Sequence, residues 1–203
     1  YNLRGARSLN LLDDTFTLKP ARVSEFCQGL IDRKLDVDWR CTAKATTVTP
    51  GLLADMARAG CKLVAYGVES GNQRILDNIN KKQTLDQVRR AIAMTRDAGM
   101  LSLALCIVGN LGETDETVDD TIAFLRETAP DFASCAIITP YPGSGMHRIC
   151  EDNGWIRQPD WSQWVPTPHG LPGYRPVTVI EDMDQDELLN AYYRVNASII
   201  RQR

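Results

Sequence analysis

Acids stand where strand-like runs of this chain stop. The stretch "LVAYGVESG", residues 63–71, is small and apolar until it reaches Glu69, Ser70 and Gly71, and "SLNLLDD" ends on Asp13 and Asp14. Carboxylates in such places accept hydrogen bonds from hydroxyls or carry protons in general acid–base steps. A period of two puts Val64, Tyr66, Val68 and Ser70 on one face and Ala65, Gly67 and Glu69 on the other, so the charge shares a face with the smallest side chains. Apolar character on both faces suits a parallel strand covered on both sides, and ligands in such folds meet the carboxyl ends of strands. Glu69 would then project into a roomy mouth. Alternatively it stabilises the start of the next helix, "NQRILDNI", through that helix's amides. The pattern alone leaves both open, and Asp13 and Asp14 equally admit helix capping or plain solvation.

Other reactive residue types lack the spacing that chemistry needs. Cys27, Cys41, Cys61, Cys106, Cys135 and Cys150 are far apart, with no CxxC or comparable ligand spacing, so most are expected as free thiols. Cys106 and Cys135 lie inside apolar runs, where a cysteine behaves as a small hydrophobe. The two histidines, His147 and His169, fall in loop-rich sequence without a carboxylate or cysteine at metal spacing. They read as surface side chains, and no metal ligand is assigned in this chain.

Positioning those acids requires an alternation of short apolar runs and amphipathic segments, the pattern of βα units around a parallel sheet. Strands are expected at 9–14, 36–44, 62–70, 101–109 and 132–140, with helices near 20–34, 49–59, 72–79, 84–98 and 114–128. Pro20 and Pro50 suit first helical turns, and "AG" at 59–60 and 98–99 suits a helix stop. Leu85, Val88, Ile92 and Thr95 make one stripe, as on a helix lying against a sheet. The repeat of roughly 30 to 40 residues per unit suits a barrel or a doubly wound sheet. After Gly143 the texture changes. Residues 153–176 are rich in Trp, Pro and Gly and read as an ordered wrapping loop that takes Trp155, Trp161 and Trp164 out of water. A last helix over 184–203 carries Leu188, Leu189, Tyr192, Val195 and Ile199 at helical spacing. The expected division is a barrel-like part, 1–150, and a C-terminal loop and helix extension, 151–203.

Composition narrows the classes. At 203 residues, with 43% apolar and 24% charged residues, the chain supports one sizeable core or part of a larger barrel. A net charge of −3 gives no general attraction to nucleic acid or anionic membrane, and "RR" at 89–90 reads as a solvated helix face. No apolar run reaches the roughly 18 residues of a membrane span, and no signal peptide opens the chain, so a cytoplasmic location is expected. The first residue is Tyr1 rather than Met, and the chain reads as a piece of something longer.

Five segments in order carry a resemblance: "LLDDTFT", "WRCTAK", "LLADMARAGCKLVAYGVESGNQRILDNINKKQT", "CIVGNLGETDET" and "TPYPGSGM". Together, from about residue 7 to 155, they resemble the radical S-adenosylmethionine (SAM) enzymes. The likeness is greatest to the branch that usually carries an N-terminal cobalamin-binding domain and includes the anaerobic magnesium-protoporphyrin ester cyclases. The resemblance implies an α/β fold, a partial TIM-like (β/α) barrel with mostly parallel strands and a C-terminal extension. It also implies a 4Fe-4S cluster held through a CxxxCxxC loop after the first barrel strand, a spacing absent from this chain. Since "LLDD" resembles the second strand, that loop is expected upstream of Tyr1, and the chain reads as the C-terminal half to two thirds of the barrel.

What the resemblance implies for function is reductive cleavage of SAM to methionine and a 5′-deoxyadenosyl radical that takes hydrogen from a small-molecule substrate. Residues here would position SAM, and the chain alone would hold no cluster and be inactive. Glu69 matches the glutamate near the SAM ribose, with Ser70 beside it. Lys44 matches an arginine that meets the methionyl carboxylate, although a lysine cannot form the same bidentate fork. Ile107 would pack on adenine and Gly109 would admit the backbone, while Leu105 and Leu111 replace the relatives' usual glycine and proline. Thr139, Pro140 and Tyr141 would border adenine or substrate, and Asp13 and Asp14 fall close to the methionyl amino group. Cobalamin use, the substrate and the electron donor are not legible. If the first strand is missing, "SLNLLDD" becomes a bare edge through which copies would self-associate. Two other classes remain: a TIM-barrel lyase or hydrolase using Asp13, Asp14 and Glu69, and a noncatalytic barrel module. A CxxxCxxC in the gene upstream of Tyr1 separates the first reading from these.

Overall fold

The computed structural model describes residue 5, residues 7–167 and residues 173–200. His169 and the last three positions of the expected final helix lie outside the described residues, and so does Tyr1. Five strands, β1 (Ser8–Leu11), β2 (Asp38–Ala43), β3 (Cys61–Glu69), β4 (Leu101–Val108) and β5 (Phe132–Ile137), form one sheet in the order β1-β2-β3-β4-β5. The β1–β2 and β2–β3 pairs are parallel. Between the strands run α1 (Pro20–Asp32), α2 (Pro50–Arg58), α3 (Gln73–Asn78), α4 (Leu85–Asp97) and α5 (Asp115–Thr128), followed by α6 (Gly145–Asp152) and α7 (Gln185–Ile200). Sequential strands joined through helices give the parallel α/β arrangement that the alternation predicts.

Local signals set the helix ends. Pro20 and Pro50 occupy first turns, and Thr49 accepts from the Leu52 N–H to cap α2. Thr84 and Gln87 close a capping box on α4. Gly60 and Gly99 take φ +91 and +76, the left-handed stop expected after α2 and α4.

The residues fall into two units. The first comprises Tyr1–Val68, Gln83–Leu105 and Thr128–Ala133. Its core is an aromatic triangle of Phe16, Phe26 and Trp39, with edge-on ring centroids 5.4 to 5.7 Å apart. Trp39 donates its indole N–H to the Ala59 carbonyl at 2.8 Å, so its burial leaves no polar atom unsatisfied. Tyr66 points from β3 to α4, where its hydroxyl bonds Thr95 at 2.7 Å. Of the expected α4 stripe, Val88, Ile92 and Thr95 are buried and Leu85, at its start, is half-buried. The first strand is shorter than expected, ending at Leu11, because Leu12 is 85% exposed and Asp13 turns away to pair with Arg22.

The second unit comprises Glu69–Lys82, Cys106–Glu127 and Ser134–Arg203, and so carries the carboxyl ends of β3, β4 and β5. Leu188, Ala191, Tyr192 and Val195 of α7 are buried, and Asn196 accepts from the Cys135 N–H of β5 at 3.1 Å. Arg194 pairs with Asp115 and Asp119 of α5. The region expected as an ordered wrapping loop follows α6, which begins where Ser144 accepts from the His147 N–H, and it holds one short 3-10 turn at Trp161–Gln163. His147 is not the partnerless surface residue expected: its side chain is only 13% exposed and its Nδ1 meets Glu151 one helical turn on, at 3.0 Å. Among the loop tryptophans, Trp164 is buried, but Trp161 stays 60% exposed and stacks on Trp164 at 4.4 Å. Stacking covers one face of Trp161 and leaves the other in water.

Candidate functional site

Strand β3 delivers the central carboxylate. Val64, Tyr66 and Val68 are fully buried on one face, while Gly67 and Glu69 on the other are only partly covered. At Glu69 the backbone turns left-handed, φ +65. The helix-start alternative for Glu69 is not what the chain uses, because Asn72 caps α3 by accepting from the Ile75 N–H. The Glu69 carboxylate instead pairs through Oε1 with the Lys81 ammonium. Oε2 accepts no hydrogen bond among the described residues.

Ser70 faces inward. It is fully buried, bonds Thr121 of α5 at 3.3 Å and accepts from the Asn72 N–H. The next residue, Gly71, donates its N–H to Thr121 at 2.9 Å, and a Cβ there would fall 2.5 Å from the Thr121 Cα. Asn72 also donates to Asp120. The "ESGN" turn is thus bolted to α5, which fixes the direction in which Glu69 leaves the strand.

After β4, the chain turns through Gly109 at φ +92. A Cβ at Gly109 would lie 2.5 Å from Ile138 Cγ2 and 3.1 Å from Leu188, so the space that the glycine opens is filled by protein side chains. Glu113 closes this turn from inside. Its buried carboxylate accepts from the Gly109 N–H at 2.5 Å and from the Asn110 N–H at 3.2 Å. Burial pushes its pKa from 4.5 to about 7, against the two N–H bonds that favour the charged form. Burial likewise pushes the Cys106 thiol up, helped by the Glu69 and Glu113 carboxylates. All six cysteines are buried free thiols.

The remaining sequence-predicted residues are placed as follows. Ile107 is half-buried at the end of β4, and its carbonyl accepts from the Asn110 amide. Thr139 is half-buried just beyond β5, with its hydroxyl on the Ile137 carbonyl. Tyr141 is half exposed and donates its hydroxyl to the Trp164 carbonyl at 3.2 Å. In the first unit, Lys44 directly follows β2, is half-buried, and makes no ion pair among the described residues. Asp14 lies exposed in the turn beyond β1 rather than in a strand, and Asp13 is neutralised by Arg22 at 2.8 Å. Sequence reasoning missed Lys81, the buried role of Glu113 and the Thr121 bolt. "NKK" after α3, where asparagine suits a left-handed turn, was the available signal for Lys81.

The chain belongs to the radical SAM superfamily, whose family description matches residues 2–125. It is 31% identical over 161 residues to an uncharacterized methyltransferase of Pyrococcus horikoshii, covering 79% of this chain and 35% of that protein. It is 36% identical over 144 residues to the anaerobic magnesium-protoporphyrin IX monomethyl ester cyclase of Rubrivivax gelatinosus, covering 70% of this chain and 26% of that protein. The chain thus spans about a third or less of the length of these relatives. Among solved structures, the radical SAM methyltransferase TsrM of Kitasatospora setae, with cobalamin and a 4Fe-4S cluster bound, superposes with a TM-score of 0.64 at 18% identity. That match covers 75% of this chain and 30% of TsrM, and it shows the shared fold.

The family's groups fit these residues unequally. Among the described residues no group of three His, Cys, Asp or Glu side chains stands together to hold a metal, so ligands for an iron-sulfur cluster are not among them. An adenosyl ligand is different, because Glu69 presents an unspent carboxylate oxygen at a strand end and a ribose offers hydroxyl donors.

Proposed function

We propose that this chain is the SAM-positioning portion of a radical SAM enzyme whose full-length protein cleaves SAM reductively and acts on a small-molecule substrate. The observation that carries the reading is Glu69: a carboxylate at the end of β3, released from helix capping, with Oε2 unspent. When bound to a reduced cluster, SAM supplies an oxidising adenosyl radical; the work of this chain is to hold the molecule and exclude water around it. Glu69 accepts from the ribose hydroxyls. The roles proposed for Lys44, a point charge for the methionyl carboxylate, and for Asp14, a partner of the amino group, rest on the family likeness of their strand ends alone. Ile107 packs on adenine, with Thr139 and Tyr141 shaping the rim, while Ser70 and Gly109 act from within by fixing the turns after β3 and β4. Cluster ligands are expected in residues outside these 203, in keeping with relatives of which the matched stretch is only 35% and 26%. Cobalamin binding in the full-length protein is supported by the likeness to TsrM, whose structure contains it.

No helix among the described residues is long and apolar enough to cross a membrane, and a cytoplasmic location is part of this reading. We also expect self-association of the 203-residue chain, because β1 pairs only with β2 and leaves its other edge for a second copy. A monomeric mass by light scattering at high concentration would refute that expectation.

Calorimetric titration of the full-length protein with SAM tests the central reading. Glu69→Gln is expected to weaken binding by roughly tenfold to a hundredfold, the loss of a charged acceptor, while Glu113→Gln changes it less. Equal affinities for the two variants would remove Glu69 from the site.

A further inference from the structure

Strand β2 carries a charge where a barrel strand is ordinarily apolar. Its Trp39, Cys41 and Ala43 are buried on the side of the helices, where the Trp39 ring meets Phe26 of α1. Arg40 points to the opposite face and is exposed. Because β2 is paired along both edges, Arg40 stands in mid-sheet, level with Asn10 of β1 and Leu63 of β3. In a (β/α) barrel that face is the interior, and branched apolar side chains fill it. Leu63 keeps this rule, whereas Asn10 and Arg40 break it. Neither of the two polar side chains has a hydrogen bond or ion pair among the described residues. The acid two residues back on the same face, Asp38, is already engaged with Lys62 at 3.5 Å. A guanidinium cannot shed its charge, so one enclosed by a barrel needs an anion beside it.

We propose that Arg40, with Asn10 beside it, binds the anionic group of the substrate, a carboxylate or a phosphate, inside the barrel. This rests on the radical SAM reading above and adds the chemical class of the molecule acted on. The planar fork of Arg40 suits either group, since each presents a pair of oxygens to it, and the Asn10 amide adds a further donor. Leu63 on the other flank suits the hydrocarbon body that carries the charge. This anion is distinct from the methionyl carboxylate proposed for Lys44. Arg40 precedes Lys44 by four residues, roughly 13 Å of strand, so the two cations stand in separate layers of the barrel. The substrate therefore enters with its charge toward the amino ends of the strands, which leaves its reacting part near their carboxyl ends.

Phenylglyoxal modification of the full-length protein, with the labelled arginines read by peptide mass spectrometry, tests this at the residue itself. The probes are benzoate and phenyl phosphate, with benzyl alcohol as the neutral control at equal ionic strength. Arg40 is expected to react when no probe is present, and to be slowed about tenfold by an anionic probe at about ten times its dissociation constant. Benzyl alcohol should not slow it, and Arg33, exposed where α1 ends, should react alike throughout. The anion that protects at the lower concentration tells a carboxylate substrate from a phosphate. Protection of Arg40 by neither anion, or of Arg33 as strongly as Arg40, overturns the proposal. An Arg40 that is inert without a probe also overturns it, because the rest of the chain then covers the residue. SAM is added in a separate arm. Protection of Arg40 by SAM would move the residue into the cofactor site, against the proposal, whereas protection by benzoate in a protein that does not bind SAM keeps the anion site and overturns only the SAM reading.

Discussion

Glu113 is the buried acid whose titration the fold should report. It is 1% exposed, and its pKa rises from an ordinary 4.5 to about 7 chiefly through burial. Because the folded value lies above the unfolded one, the folded state holds the proton more tightly. The stability linked to Glu113 is therefore full below about 4.5, falls as pH rises, and has been lost above about 7. A separation of some 2.5 pH units at 1.36 kcal/mol each amounts to about 3 kcal/mol. Glu113→Gln removes the titration yet keeps an acceptor oxygen for the Gly109 and Asn110 N–H groups. Denaturant unfolding of wild type and variant at a series of pH values between about 4 and 8 isolates the effect, since other groups titrate equally in both. The wild type should lose about 3 kcal/mol relative to the variant across that range. A constant difference, or a wild type that gains with rising pH, would refute the argument: it would mean that the two N–H bonds outweigh burial and keep the carboxylate ionised.

Two other outcomes follow from the same region and from the cysteines. Gly109→Ala should destabilise the chain by about 1 to 3 kcal/mol in thermal unfolding, because φ is +92 and the new Cβ would meet Ile138 at 2.5 Å; an unchanged midpoint would mean that the turn is softer than its packing implies. Anaerobic reconstitution of the 203-residue chain with iron and sulfide should leave it colourless, since its cysteines are separate and buried; a stable brown protein with about four irons per chain would contradict this.

The sheet and its helices were legible because their signals are local. Pro20, Pro50 and the Gly60 and Gly99 stops each act within one turn of chain, and the α4 stripe needs only a helical period. Glu69 was legible as a strand-end acid, while its alternative use as a helix cap fell to Asn72, which caps α3 instead. What stayed hidden depends on chain separation. Thr121 meets Gly71 across fifty residues, and Lys81 meets Glu69 only because two left-handed residues turn it back. Glu113 lies in the "GET" turn ahead of α5, and nothing in its sequence neighbours announces that the side chain folds inward onto Gly109. The extent of β1 and the exposure of Trp161 were set by what covers them, which no period records.

A crystal structure of the full-length protein with SAM bound tests the central claim most directly. The account predicts a ribose hydroxyl within about 2.6 to 3.2 Å of the Glu69 carboxylate, with Lys81 still on Oε1. A ribose seated elsewhere, with Glu69 bonded only to Lys81, would contradict it.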